Sequence, residues 1–320
     1  MKIFVLGWYG HGNLGDEAFR PAIKNLFPDQ QFQFGDHIPD KINQDYDELW
    51  VGGGSFLDQR LKNIELVTIP IGFIGVGIGH TVEPHNLAAL RRAKFVIVRD
   101  HVSVRRCPNA YFAPDVVFSR KDLHAVPRPA NTQKNVVVLL NDFFYPGWEC
   151  PEWKSFSFYR FSQEFAKVCE SFASEGYWIK FLPMCVTTDI DDRKIAGALI
   201  SRMKTKSKAV WYTDKIITEH FMMDQIAKAD VVITQRLHGA IYAMIAQRPV
   251  VVIRAHDKLA GLLEDTQWSG HLDYYGFTDK EFFDVFRKIE GKSIAKEYIE
   301  YAQKRWGELR EIAVKSKKDS

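Results

Sequence analysis

The sequence contains little cysteine. Its four cysteines are Cys107, Cys150, Cys169 and Cys185, and no two of them form a CxxC pair. With so few cysteines and no CxxC pair, the sequence predicts neither a disulfide framework nor a zinc site. The cysteines are therefore expected to be small buried apolar residues of a protein in a reducing compartment.

Long apolar runs are also missing. The most apolar stretch, residues 66–79, is interrupted by Pro70 and several glycines, whereas a membrane span needs about 20 unbroken apolar residues. The apolar run at residues 3–6 is too short for a signal peptide. We therefore predict a cytoplasmic location, and the lysines near the C-terminus leave the inner face of a membrane open as an alternative.

A large excess of charge of one sign is absent as well. Lys and Arg number 43 and Asp and Glu number 40, so the net charge is +3. This balance argues against a protein that coats nucleic acid. Hydrophobic residues make up 46% and charged residues 26%, a composition typical of a globular protein with a full core.

Short apolar runs alternate with segments of helical spacing along the chain. The runs predict strands at residues 2–6, 48–51, 71–78, 95–98, 136–140, 178–182, 210–212, 231–234 and 249–253. Helical spacing occurs at residues 16–27, 87–94, 159–173, 194–203, 218–229, 237–246 and 294–314. The alternation predicts an α/β fold with two Rossmann-like domains facing across a cleft.

A segment with two prolines and no periodicity, residues 121–133, separates the two series of elements. It predicts an N-terminal Rossmann-like domain over residues 1–125 and a C-terminal one over residues 134–290. Residues 291–320 form a separate C-terminal helix and basic tail in this prediction.

The first candidate site is a glycine-rich turn between the first strand and the first helix. Its candidate ligand-binding residues are Gly10, Asn13, Gly15, Asp16 and Glu17. Glycines allow backbone N–H groups to approach a ligand, and a helix N-terminus favours an anion or hydroxyl groups. The spacing differs from GxGxxG and no P-loop lysine follows. The alternative is a tight turn in which Asp16 caps the helix.

A second glycine-rich loop directly follows the predicted strand at residues 48–51. Gly53, Gly54 and Ser55 are its candidate ligand-binding residues, because such a loop can surround phosphate or sugar hydroxyls with backbone donors. The alternative is that the glycines allow a helix to pack closely on the sheet.

The third candidate site is the sequence Arg236–Leu237–His238–Gly239 after the strand Val231–Thr234. An arginine fork suits a carboxylate or phosphate, and a histidine can donate or accept a proton near neutral pH. Arg99 ends another predicted strand, and Lys258 follows a further one. The alternatives are a structural histidine at 238 and a surface ion pair at Arg99.

Several catalytic motifs are absent from the sequence. It has no HExxH motif, no GxSxG motif and no Cys–His pair that suggests a covalent nucleophile, so we predict no metal site. Aromatic residues cluster at positions 143–161, where they could stack on sugars or belong to the core.

The motifs together resemble those of the polysaccharide pyruvyl transferases. They occur in the order GWYGHGNLGDEA, GGGSFLDQ, GVGIG, VRDHVS, APDVVF and RLHGAIYA, followed by PVVVI and HDK, over residues 3 to about 260. The resemblance implies a two-domain GT-B-type fold. It also implies transfer of the pyruvyl group of phosphoenolpyruvate to a sugar as a ketal, with release of phosphate. The sequence departs from the family's usual pattern at residues 57–59 and 254–258. These departures concern the identity of the acceptor more than the fold.

The resemblance also implies roles for individual residues. His238 and Arg99 match the family's histidine and arginine and are expected to serve phosphoenolpyruvate binding or catalysis, together with Arg236. The N-terminal domain is then the acceptor side, and the C-terminal domain is the donor side. The expected partners are phosphoenolpyruvate and a glycan or lipid-linked glycan, with no further cofactor, no nucleic acid and an open oligomeric state.

Two other functions are compatible with the same sequence. A GT-B glycosyltransferase would use a nucleotide sugar as the donor in the same two-domain fold. A non-catalytic glycan-binding protein would keep the cleft without turnover. The donor that protects the protein against heat distinguishes the enzymes from each other.

Overall fold

The structure is a computed structural model. It describes residues 1–54, 61–79, 82–123, 133–141, 158–187, 190–213, 217–254, 258–276, 278–294 and 296–315. Contacts divide the chain into two compact units. The first unit contains Met1–His11, Asp16–Lys121 and the C-terminal helix, and the second contains Gly12–Gly15 and Asp122–Ile294.

The described strands, in chain order, are β1 Lys2–Leu6, β2 Gln31–Gly35, β3 Glu48–Gly52, β4 Ile71–Val76, β5 Phe95–Val98, β6 Tyr111–Phe112, β7 Asn135–Leu139, β8 Trp178–Phe181, β9 Ala209–Trp211, β10 Val231–Thr234, β11 Val250–Arg254 and β12 His271–Asp273. The described α-helices are α1 Leu14–Leu26, α2 Ile42–Asp45, α3 Pro84–Arg91, α4 His101–Arg106, α5 Phe158–Ser174, α6 Asp192–Arg202, α7 Glu219–Ala227, α8 Leu237–Ile245, α9 Lys258–Thr266, α10 Asp279–Ile289 and α11 Lys296–Val314.

Within the described residues, the first unit is built around a six-stranded sheet in the order β2-β1-β3-β4-β5-β6. All neighbouring strands are parallel. β3 and β4 are buried along their whole length because helices cover parallel sheets on both faces. Trp50 of β3 is fully buried and makes edge-to-face contacts with Phe27 and Phe95.

The second unit contains a second parallel sheet, whose described strands follow the order β12-β11-β10-β7-β8-β9. β7 and β10 lie at its centre, where Val136 pairs with Val231 and Val137 with Val232. Both strands are fully buried. The two units thus have the α/β, Rossmann-like architecture that the alternating pattern predicts.

Helix α11 packs on the first unit. Trp306 is fully buried, and its indole N–H donates to the backbone oxygen of Pro114 at 2.7 Å. Arg305 Nε donates to the backbone oxygen of Phe112 at 2.9 Å. The predicted basic tail after this helix lies outside the described residues, apart from Lys315.

The observed elements differ from the predicted ones at the sheet edges and in the helices α2, α9 and α10, which the predicted helical segments do not include. β2, β6 and β12 are not predicted, because β2 has the mixed sequence QFQFG and the other two are very short. Helix α3 begins earlier than predicted, since Pro84 occupies its first turn. No helix among the described residues has the length and apolar character needed to cross a membrane.

Candidate functional site

The sequence Arg236–Leu237–His238 lies at the carboxyl end of β10 and opens α8. Arg236 occupies the N-cap position, and its backbone N–H donates to Thr234 Oγ1 at 2.9 Å. A Cβ added at Gly239 would lie 2.5 Å from Thr234 Oγ1 and 2.9 Å from Leu139 Cδ1, so glycine allows α8 to pack tightly on the sheet. His238 and Arg236 are half-buried at the start of an otherwise buried helix.

Arg236 forms a buried ion pair with Asp192, the first residue of α6. Its Nη2 donates to Asp192 Oδ1, and the other carboxylate oxygen accepts the backbone N–H groups of Met184 and Cys185, both at 3.0 Å. Burial raises the pKa of Asp192. The positive charge of Arg236 and the hydrogen bonds that the Asp192 carboxylate accepts act in the opposite direction. Sequence analysis gave Asp192 no role.

The turn Gly12–Gly15 belongs to the second unit and lies against the same region. Leu14 N–H donates to the oxygen of Met184 at 2.9 Å, and Asn13 forms an isolated antiparallel bridge with Cys185. A Cβ at Gly15 would lie 2.8 Å from Cγ of His238 and closer still to its Nδ1. The turn therefore contacts the imidazole directly. This placement differs from the predicted domain boundary, which put Asn13 and Gly15 in the N-terminal domain.

The other residues of the first glycine-rich cluster lie in the first unit. Gly10 N–H donates to Glu17 Oε1 at 2.6 Å, and Arg20 donates to Glu17 Oε2 at 2.9 Å. Both oxygens of Glu17 thus accept hydrogen bonds within its own unit. Asp16 is half-buried in the first turn of α1.

The second glycine-rich loop begins where β3 ends. Gly53 and Gly54 have φ values of +77° and +70°, a region that favours glycine. The Gly54 oxygen accepts Gly77 N–H at 3.0 Å, so the loop is held against the residues that follow β4. The third residue predicted for this site, Ser55, lies outside the described residues.

Arg99 directly follows β5 and is buried, with 5% of its side chain exposed. Its guanidinium lies 3.7 Å from a carboxylate oxygen of Asp100 and 3.9 Å from one of Asp115, both longer than hydrogen bonds. A Cβ at Gly77 would lie 2.9 Å from Arg99 Nη2. The guanidinium of Arg99 therefore packs closely against the backbone of Gly77, where a side chain would collide with it. Arg99 is thus a buried cation rather than a surface ion pair.

A histidine–carboxylate cluster in the first unit was missed by the sequence analysis. Asp36 follows β2 and receives His11 Nε2 and His37 Nδ1, each at 2.8 Å. The hydrogen bonds to His37 and His11 lower the pKa of Asp36. The ring of Trp8 stacks on His11 with centroids 5.2 Å apart. The distance of 25 residues between His11 and Asp36 gave no local sequence signal.

Two further predictions concern Lys258, which follows β11, and the aromatic segment between β7 and α5. Lys258 begins α9, while its neighbours 255–257 lie outside the described residues. The aromatic segment 143–157 lies outside them too, but Phe161 is buried and packs on Tyr274, which places that side chain in the core. A cavity of about 480 Å³ in the first unit lies between residues 27–30 and the end of α11, and none of the predicted site residues lines it.

Solved structures with a similar fold include two UDP-GlcNAc 2-epimerases and a protein in complex with UDP and glucose, all of low sequence identity. The UDP-GlcNAc 2-epimerase of Methanocaldococcus jannaschii, in complex with UDP-GlcNAc and UDP, aligns with a TM-score of 0.65 at 9% identity, covering 98% of this chain and 99% of that one. The UDP-GlcNAc 2-epimerase of Neisseria meningitidis, bound to UDP-GlcNAc, gives 0.58 at 12% identity and 98% of both chains. Anabaena HepE, in complex with UDP and glucose, gives 0.54 at 12% identity, covering 97% of this chain and 95% of that one.

At these identities the likeness concerns the fold alone, which is the GT-B type predicted from the sequence. No curated protein is significantly similar in sequence. The sequence model of the polysaccharide pyruvyl transferases, in contrast, matches residues 13–257, which include the Gly12–Gly15 turn from Asn13 onward, Arg99 and the start of α8. The chain therefore belongs to the polysaccharide pyruvyl transferase family.

Proposed function

We propose that this protein transfers the pyruvyl group of phosphoenolpyruvate to a sugar of a glycan, forming a cyclic ketal and releasing phosphate. The observation that carries the proposal is the placement of Arg236 and His238 at the start of α8, with Gly15 against the imidazole, in a chain of this family. It combines a cation, backbone donors and a proton-transfer group at the carboxyl end of a parallel strand.

The donor carries a phosphate and a carboxylate, and both need compensating partners when they leave water. Arg236 offers a planar guanidinium that is 13% exposed and held from one side by Asp192. The N-terminus of α8 at Leu237 adds backbone N–H groups and the positive end of the helix dipole. For Arg99, which lies in the first unit, we propose a role as an anion ligand, because its carboxylate contacts lie beyond hydrogen-bond distance.

In the proposed reaction, protonated His238 donates a proton to the methylene carbon of phosphoenolpyruvate. The carbon that bears the phosphate becomes electrophilic, and a sugar hydroxyl adds to it. A second hydroxyl of the sugar then displaces phosphate and closes the ketal. The two sugar hydroxyls release two protons in total. One of them returns to His238 and replaces the proton given to the methyl group, and the other ends on the released phosphate. General acid catalysis of this kind contributes about 10²- to 10⁴-fold to a rate.

For the acceptor, the proposal keeps Gly10, Asp16 and the Gly53–Gly54 loop of the first unit as groups that hold sugar hydroxyls. Asn13, which lies in the second unit, is proposed as a further ligand-binding residue. Glu17 holds the turn rather than abstracting a proton, because both of its oxygens accept hydrogen bonds from Gly10 and Arg20. Among the described groups of the first unit, His11 is an imidazole oriented by a carboxylate, as a general base requires.

The test is a donor and acceptor screen with the full-length protein. Phosphoenolpyruvate is expected to raise the melting temperature, and with a suitable glycan it should yield phosphate and a product of pyruvylated mass. His238→Ala is expected to lower the rate by at least about 100-fold with an unchanged fold. His220→Ala, an exposed histidine of α7 in the same unit, is the matched control and should retain activity.

The same screen separates the alternative functions. Thermal protection by a nucleotide sugar and none by phosphoenolpyruvate would favour a glycosyltransferase, and glycan binding without product from any donor would favour a binding protein. A wild-type rate in His238→Ala would refute the assignment of the acid.

A further inference from the structure

Asp192 is a buried carboxylate for which the proposed reaction has no direct use. It is the first residue of α6, follows the N-cap Asp191, and has 1% of its side chain exposed. Removing a carboxylate from water is costly unless several donors compensate it. Three donors do so here, the Arg236 guanidinium and the backbone N–H groups of Met184 and Cys185.

The two oxygens of Asp192 bind different parts of the candidate site. Oδ1 accepts a hydrogen bond from Arg236 Nη2, so the carboxylate fixes one edge of the planar guanidinium. Oδ2 holds the backbone at residues 184–185. An arginine has many rotamers, and an ion pair that selects one of them reduces the entropy lost when the guanidinium binds an anion.

The backbone held by Oδ2 also supports the turn that contacts the imidazole. Met184 accepts the N–H of Leu14, and Cys185 pairs with Asn13. Gly15, the next residue of the turn, packs against His238. Asp192 therefore contacts Arg236 directly and is linked to His238 through two short stretches of backbone.

We infer that Asp192 is a positioning residue, which holds the Arg236 guanidinium in the orientation that binds the anionic donor and anchors the turn beside His238. The inference rests on the proposed function, because that function supplies the anionic donor. Its geometric basis is the ion pair between Asp192 and Arg236. Asp192 is inferred to act through Arg236 and the turn, so it is assigned no contact with the reacting atoms.

Asp192→Asn tests the inference with little change in shape. The amide oxygen can still accept the N–H groups at 184–185, but the amide NH₂ then faces Arg236, donor against donor. The KM for phosphoenolpyruvate is expected to rise roughly 10- to 100-fold, the range that follows from the loss of one charge-assisted hydrogen bond. The kcat should change much less, because the turn beside His238 keeps its support.

Asp191→Asn is the matched control. Asp191 caps the same helix and binds Arg193 through Nε at 2.8 Å and Nη2 at 2.7 Å, so its loss also weakens the start of α6. The described contacts of Asp191 do not include Arg236. The control should lower stability without raising the donor KM, and an equal rise in KM in both variants would assign Asp192 a merely structural role.

A readout without turnover separates this inference from the proposed function. The side-chain Nε–H NMR signal of Arg236 is assigned by its loss in Arg236→Lys. We expect its chemical shift to change in Asp192→Asn and to remain at the wild-type value in Asp191→Asn. If the wild type transfers no pyruvyl group, the proposed function fails while this signal still decides the positioning role. An unmoved signal, or a donor KM within twofold of wild type, would overturn it.

A second variant covers the case in which Asp192→Asn does not fold. Asp192→Glu keeps the charge but displaces the carboxylate by one methylene in a buried site, so the guanidinium must move with it. We expect an increased KM and a shifted Arg236 signal here too, and wild-type values for both would refute the inference.

Discussion

Replacing Gly15 by alanine adds one methyl group directly against the imidazole of His238. Gly15 is the second residue of α1 and is buried, and its backbone does not require a positive φ. Alanine is therefore allowed by the backbone and favours the helix by up to about 1 kcal/mol over glycine. The new Cβ would lie 2.8 Å from Cγ and 3.1 Å from Cε1 of the ring, closer than ordinary van der Waals contact.

The size of the effect follows from the shift that the ring must make. Carbon atoms pack at about 3.5–4.0 Å, so the imidazole or the turn must move by roughly 1 Å. A displacement of that size at a reacting group can cost about 10²-fold in rate. We expect Gly15→Ala to lower kcat about 100-fold and to change the free energy of unfolding by about 1 kcal/mol or less, because helix propensity and strain have opposite signs.

The assay is phosphate release from phosphoenolpyruvate in the presence of the glycan acceptor, with urea unfolding measured in parallel. Gly307→Ala is the control, since a Cβ at this position of α11 meets nothing within 4 Å. It should stabilise the helix and leave the rate unchanged. A wild-type rate for Gly15→Ala would show that the contact between the turn and the imidazole has no role in turnover.

Three other predictions concern stability and reactivity. Trp306→Phe removes the donor to Pro114 in a fully buried site and should lower the free energy of unfolding by about 1–3 kcal/mol in urea titrations, whereas Tyr301→Phe, at an exposed position of the same helix, should have little effect. Burial raises the pKa of the Cys169 thiol, so iodoacetamide at pH 8 should modify this residue only after the protein unfolds. Peptide mass spectrometry reads the labelling, and labelling of Cys169 in the native protein would contradict its burial. The hydrogen bonds from Arg193 lower the pKa of Asp191, so its stabilising effect is present at neutral pH and is lost as the pH falls below about 3.9. The stability difference between wild type and Asp191→Asn should therefore shrink between pH 7 and pH 3, and a constant difference would contradict this reasoning.

Local sequence patterns were sufficient to predict much of the fold. The apolar runs that became β1, β3, β7 and β10 are strands whose two faces are both buried, so almost every residue in them is apolar and the pattern is visible without context. The edge strands β2 and β12 were missed because half-exposed or very short strands carry no such pattern. Their assignment depends on pairing with β1 and β11, which lie far away in the sequence.

The chemical groups of the candidate site were also recognisable in the sequence, because a glycine turn or an arginine and histidine at a strand end has a meaning within a few residues. The sequence by itself determined the residue types, the strand ends and the order of the motifs. Only the tertiary structure decided that Gly15 contacts His238, that Asp192 is the partner of Arg236, and that both oxygens of Glu17 are already bonded. The physical reason is that hydrogen bonds and packing depend on distances between atoms, and for residues far apart in the chain those distances are set by the folding of the sheets and helices between them.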